Sequence, residues 1–230
     1  MERRPCCPVC ERPQRTCLCP WVRPVAHRTE VLILQHPQEA HHAKNTARLL
    51  HLSLSRSHLL VGECWAESTL AQGGLAPLPT WLLYPGVGPQ VRPGVAPATE
   101  QLSATEVEPG TEAGAGMVPV SAVHTLTDPP SPPSCRLVVL DATWRHSRSM
   151  LHRSPWLQSL PRWSLDHVPA SRYAIRKAHQ PGQLSTLEAV CEALARLEGD
   201  ARRFQPLLVA FDGFVARHLA FRPAEDPMGS

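Results

Sequence analysis

Five of the eight cysteines fall within the first 19 residues. Cys7-Pro-Val-Cys10 is a Cys-x-x-Cys knuckle, and Cys17-Leu-Cys19 follows after six residues. Four thiolates this close together can close a tetrahedron around zinc, which favours sulfur and needs no redox role. Cys6 and Cys7 compete for the first place. Cys7 gives the usual two-residue spacing, so the expected ligands are Cys7, Cys10, Cys17 and Cys19. Free surface thiols and an iron–sulfur cluster are the alternatives. Cys64, Cys135 and Cys191 stand in apolar settings and are expected in the core.

The second chemical point is Asp141. The apolar run Leu137-Val138-Val139-Leu140 ends abruptly in it, and a helical pattern starts at once. Chemistry in α/β sheets gathers where strands end, because side chains and free helix N–H groups converge there. A plain structural role competes: Asp141 as the cap of the next helix, Thr143 in its first turn, Trp144 in the core. His36 closes another apolar run, before Pro37, and can either move a proton or shape a turn. The adjacent His41 and His42 cannot face one another on a helix and are read as surface.

An α/β domain with a largely parallel sheet would position these residues. Strands are expected at 30–35, 57–62, 80–84, 136–140 and near 163–168. Helices are expected at 38–52, 142–152 and 202–220. The clearest helix begins at Ser185-Thr186-Leu187-Glu188, where Ser185 and Glu188 can form a capping box. Leu187, Val190, Cys191, Leu194 and Leu197 line one face, and Gly199 closes it. The Pro- and Gly-rich stretch 87–134 reads as a loop within one domain, with 116–120 as a weak strand candidate. The division is a Cys-rich segment, 1–29, and an α/β domain, 30–222.

The net charge is only +3, but residues 1–30 hold six Arg against three Glu. Arg suits phosphate because its planar fork donates two hydrogen bonds at once. No run approaches a membrane span, and no apolar signal-peptide core follows the N-terminus, so a cytoplasmic protein is expected.

The chain resembles the DTW-domain family, transferases that move the aminocarboxypropyl group of S-adenosylmethionine onto tRNA uridine. The likeness rests on the Cys-rich head, Gln35-His36-Pro37, Lys44-Asn45-Thr46, Tyr84-Pro85-Gly86 and Asp141-Ala142-Thr143-Trp144. It continues through Leu160-Pro161, Tyr173-Ala-Ile-Arg176 and Ser185-Thr186-Leu187-Glu188-Ala189. Ala142 stands where Gly is common, and 87–134 is long for the pattern.

The resemblance implies a SPOUT-like, mostly parallel sheet with a knotted C-terminal cofactor site, and a small zinc-binding segment before it. Leu140, Leu160, Tyr173 and Thr186 would hold S-adenosylmethionine. Asp141 would be the general base that takes the N3 proton of uridine, with Thr143 and Trp144 beside it. Trp144 would stack on the base or on adenine. Arg12, Arg15, His36, Lys44, Arg145, Arg148 and Arg176 would contact tRNA, the one partner expected. An S-adenosylmethionine-dependent RNA methyltransferase and a non-catalytic zinc-containing RNA-binding module are the competing readings.

Overall fold

A computed structural model describes residues 5–40, 42, 44–68, 75, 77–85, 135–173 and 184–220, and the backbone of 125–126. Six strands form one sheet: β1 (Glu30–Gln35), β2 (Ser57–Val61), β3 (Thr80–Leu83), β4 (Thr125–Leu126), β5 (Arg136–Asp141) and β6 (Arg162–Trp163). Their order is β2-β1-β5-β3-β6-β4, and every pairing is parallel. β1 and β5 lie at the centre and read as near-continuous apolar runs because both faces are covered.

One face packs Val31, Ile33, Leu83, Leu137, Val139 and Trp163 against three helices. These are α2 (Ala47–Ser53), α5 (Thr186–Glu198) and α6 (Ala201–Ala220). The other face packs Leu32, Leu34, Leu82 and Val138 against α3 (Trp144–Arg153) and α4 (Pro155–Ser159). A single turn, α1 (Pro37–Ala40), follows β1. The α5 capping box and the left-handed Gly199 stop are both present, as the sequence predicts.

Four local expectations are corrected. The helix expected at 38–52 is broken into α1 and α2, because the Asn45 side chain accepts the N–H groups of Ala47 and Arg48 and starts a new helix. The strand expected near 163–168 stops at Trp163, level with Leu83, where β3 beside it ends before Pro85. Asp141 does not cap α3, since Thr143 does so by accepting the His146 N–H. Cys64 is exposed rather than in the core, where Cys135 and Cys191 do lie. The strand candidate at 116–120, most of 87–134, Arg176 and His41 fall outside the described residues.

The Cys-rich head packs on the same core as the sheet, through Cys7, Cys10 and Leu18. The Trp21 ring lies on α6 at Gly213, where an added Cβ would come within 2.2 Å of the indole. At the other end of the sheet, Glu30 and Arg136 are paired neighbours on β1 and β5 and form a buried ion pair of 2.5 Å. Among the described residues no helix is long and apolar enough to cross a membrane.

His27 fastens the entry to β1. It is buried, its Nδ1–H donates to the Thr29 carbonyl at 2.8 Å, and its Nε2 accepts the Arg56 N–H at 3.1 Å. Burial, only partly countered by the Thr29 carbonyl, pushes its pKa below the ordinary 6.5. The neutral ring is therefore the form the fold stabilises. That contribution is full above the unfolded pKa and is lost as pH falls through the folded one. His36 and His51 are shifted the same way, again mainly by burial. Urea unfolding should show stability falling as pH drops below about 6.5, with a shallower fall in His27→Gln. Equal slopes in the two proteins would refute this assignment.

Candidate functional site

A fully parallel sheet brings the C-terminal ends of its strands to one edge. At that edge the chain leaves the two central strands in opposite directions. From β1 it crosses by α2 to β2, and from β5 it crosses the other face by α3 and α4 to β6. The place between them is a topological switch point, where sheets of this type leave a crevice. Gln35 and Asp141 are the paired residues there.

Asp141 is 6 % exposed. Its Oδ2 accepts from Gln35 Nε2 at 2.8 Å and Asn45 Nδ2 at 2.6 Å, and its Oδ1 accepts from the Thr186 hydroxyl at 2.7 Å. Burying a carboxylate is costly unless donors replace water. Here the donors come from β1, the loop before α2, and the first residue of α5. The N-terminus of α5 adds a favourable partial positive charge. Asn45 is fixed in orientation, because its Oδ1 accepts the Ala47 and Arg48 N–H groups at 3.0 and 3.4 Å.

The loop carrying Asn45 is bolted from two sides. The Tyr173 hydroxyl donates to the Lys44 carbonyl, while its ring stacks on Phe211. The Arg12 guanidinium donates to the carbonyls of Asn45 at 2.8 Å and His42 at 3.4 Å.

Beside Asp141 the edge carries aromatic rings. Trp144, the first residue of α3, is 57 % exposed rather than in the core. Its ring stacks on Tyr84, with centroids 5.5 Å apart and planes 11° off parallel. The Arg162 guanidinium lies over Tyr84 at 5.7 Å. His36 is buried and stacks on His146 at 4.0 Å. Its Nδ1 accepts the Gln38 N–H, and its Nε2 is 4.0 Å from Glu63. Burial, then His146, hold its pKa below the ordinary range.

The four predicted thiols come together at the head. Cys7 and Cys19 sulfurs are 3.6 Å apart, Cys10 and Cys17 are 3.7 Å apart, and all four lie within 4.8 Å of one another. A tetrahedron with zinc–sulfur bonds of about 2.3 Å needs sulfurs about 3.8 Å apart. All are free thiols, and Cys6 is exposed and outside the group. The N–H groups of Cys10 and Val9 pull the Cys7 thiol down to about 6, whereas burial and then Cys7 itself push Cys19 up to about 12. Four sulfurs this close resist ionising together unless a cation sits among them.

The structure thus brings together Asp141, Thr143, Trp144, Thr186 and His36. Leu140 is part-buried on β5, one residue before the carboxylate. Leu160 precedes β6 and packs on the α3–α4 side of the sheet. Tyr173 is buried with its hydroxyl turned to Lys44. Arg145 and Arg148 are exposed on α3, Lys44 is half-buried, and Arg15 is exposed with its carbonyl taken by Arg217. Sequence reasoning missed Gln35, Asn45 and Tyr84 as individual site residues. A glutamine ending an otherwise apolar buried strand was the available signal. His146 and Arg162 carry no such signal.

A family profile described as the DTW domain matches residues 4–219. The chain is 29 % identical over 205 residues to mouse tRNA-uridine aminocarboxypropyltransferase 2, covering 86 % of this chain and 58 % of that protein. To Arabidopsis thaliana tRNA-uridine aminocarboxypropyltransferase A it is 27 % identical over 230 residues, 91 % of this chain and 78 % of that one. The Drosophila melanogaster tRNA-uridine aminocarboxypropyltransferase 2 is 29 % identical over 214 residues, with 90 % and 72 % covered. The chain therefore spans little more than half the length of the mouse relative. No solved structure matches it.

Asp141→Ala leaves three buried donors without their acceptor. It should cost about 3 kcal/mol or more in urea unfolding. A loss below about 1 kcal/mol would mean that water replaces the carboxylate and the network is not structural.

Proposed function

The chain belongs to the DTW domain family, and from that premise we propose that it transfers the 3-amino-3-carboxypropyl group of S-adenosylmethionine to N3 of a tRNA uridine. The names of its relatives support the reaction class. The observation that carries the reading for this chain is a buried carboxylate at the switch point with an exposed aromatic ring beside it.

A carboxylate offers about four lone-pair sites. Gln35, Asn45 and Thr186 occupy three, two on Oδ2 and one on Oδ1. That argues for Oδ1 as the oxygen that accepts the N3 proton. The sulfonium of the donor supplies an electrophilic carbon on its amino-acid arm. Bond formation from N3 expels methylthioadenosine with the electrons of the broken carbon–sulfur bond. Trp144, backed by Tyr84, provides the flat surface on which an extruded base can stack. Thr143 holds α3 at the angle that presents it.

The guanidinium of Arg162, over Tyr84, suits a donor bearing a carboxylate. We assign Leu140 and the Thr186 end of α5 to its pocket, in a SPOUT-like knotted site. Residues 174–183 lie outside the described residues. Leu160 and Tyr173 are assigned to it only through packing. Arg145 and Arg148 follow Trp144 on the exposed side of α3 and are the best-placed phosphate contacts, with Arg15 and Lys44 as further candidates; Arg176 is a candidate through the family resemblance alone. A neutral His36 supports the edge by stacking.

The sulfur spacing fits zinc, so we propose a zinc-binding segment, 1–29, on a transferase domain, 30–222. Zinc there would supply folding energy rather than chemistry.

Mass spectrometry of tRNA nucleosides after incubation with S-adenosylmethionine tests the reaction. The expected product carries an added aminocarboxypropyl group, with methylthioadenosine released. Methylated uridine and S-adenosylhomocysteine would instead establish the methyltransferase, and no product would leave a binding module.

Asp141→Asn should lower transfer by about 100-fold or more, since an amide cannot take the proton. Its oxygen can still accept from Gln35 and Asn45, and the Thr186 hydroxyl can turn to accept from its nitrogen. Stability should therefore change by about 1 kcal/mol at most. Near-normal turnover would reduce Asp141 to a structural acceptor.

Metal analysis should find one zinc per chain, lost in Cys10→Ser while the circular dichroism of the sheet persists. Protein purified without chelator and carrying no metal would overturn the assignment.

A further inference from the structure

Arg12 is read from sequence as a phosphate contact, but its guanidinium faces inward. It donates to the Asn45 carbonyl at 2.8 Å and the His42 carbonyl at 3.4 Å. The Asn45 side chain donates in turn to Asp141 Oδ2 at 2.6 Å. The backbone of Arg12 is fixed by the thiol knuckle: its carbonyl accepts the Cys7 N–H at 2.7 Å. An unbroken path of hydrogen bonds therefore runs from the head to the carboxylate.

We propose that Arg12 is a positioning residue for the transfer reaction, setting Asp141 through the loop that carries Asn45. The inference rests on the transfer reading given above.

Three features favour it. One guanidinium nitrogen, Nη2, holds two carbonyls at once. Asn45 has no slack: its Oδ1 caps α2 while its Nδ2 serves Asp141. Moving its backbone must therefore break one or the other. From outside, Arg12 holds the carbonyls of His42 and Asn45, and the Tyr173 hydroxyl holds that of Lys44. A shift of the carboxylate by a fraction of an ångström is felt directly in a proton transfer that needs hydrogen-bond reach. On this account the head aligns the catalytic edge as well as any RNA it touches.

The test is single-turnover transfer at saturating S-adenosylmethionine and tRNA, with tRNA affinity measured separately. Arg12→Ala should slow the reaction by about 10- to 100-fold. Its tRNA affinity should stay within about twofold of wild type. Arg12→Lys should recover part of the rate. Arg12→Ala combined with Asn45→Ala should be no slower than Asn45→Ala alone, because the two act in series. A normal saturated rate with weakened tRNA binding would make Arg12 a phosphate contact and overturn the proposal. Multiplying effects in the double variant would overturn it too.

Amide hydrogen exchange gives a readout that does not depend on the reaction. The Ala47 and Arg48 N–H groups, which Asn45 caps, should exchange faster in Arg12→Ala, with Arg12→Lys as the check should the Ala variant not fold. Unchanged protection would sink the proposal whatever group is transferred. Absence of aminocarboxypropyl transfer by wild type would instead count against the transfer reading, and the exchange result would still decide the role of Arg12.

Discussion

Buried at 6 % exposure, the Asp141 carboxylate tolerates no arrangement that leaves it without donors. The three it has are neutral, and they come from segments far apart in the chain: Gln35 on β1, Asn45 before α2, and Thr186 at the head of α5. Each segment must be in register for the others to be useful. The β1–β5 pairing shows how tightly this is set. It runs without a break from Glu30 against Arg136 to Gln35 against Asp141. A slip of one residue would flip every side chain to the opposite face and part both polar pairs together. The apolar residues between them would exchange their faces as well.

The head extends the same constraint. It is too small to have a core and borrows that of the sheet, burying Cys7, Cys10 and Leu18 beside α5 and α6 residues. Arg217 donates to the Arg15 carbonyl, and Arg48 on α2 pairs with Glu11 at 2.8 Å. Its anchors thus reach α2, α6 and the Asn45 loop. A group of thiols that gathers a metal would act here as a clasp, closing a segment whose contacts are otherwise spread thinly over three elements.

Much of the framework was legible in the residues. β1 and β5 announce themselves as apolar runs of strand length, and Ser185 with Glu188 announces the start of α5. These signals are local, so a reading of neighbours suffices. Several of the misjudged places depend on distant partners. Residues 38–52 look helical in isolation, and only the second duty of Asn45, toward a residue 96 positions away, explains the break. β6 ends level with the end of β3, a strand far earlier in the chain. Asp141 looks like a cap from its neighbours, whereas Thr143 takes that duty and frees the carboxylate for the network. Arg12 carries the right charge for phosphate, yet its geometry turns it inward. Residue type was a sound guide to what chemistry is present, and a poor guide to which group each side chain serves.

The contact between Trp21 and Gly213 bears on how the chain can drift over evolutionary time. A β-carbon at 213 would fall within 2.2 Å of the indole, so α6 can accept a larger residue there only if position 21 has already become smaller. The reverse order is open, since shrinking Trp21 first leaves a cavity but no collision. The two positions are therefore expected to change in a fixed sequence, with the tryptophan yielding before the glycine. The attachment of the head to the domain would pass through a loosened state on the way.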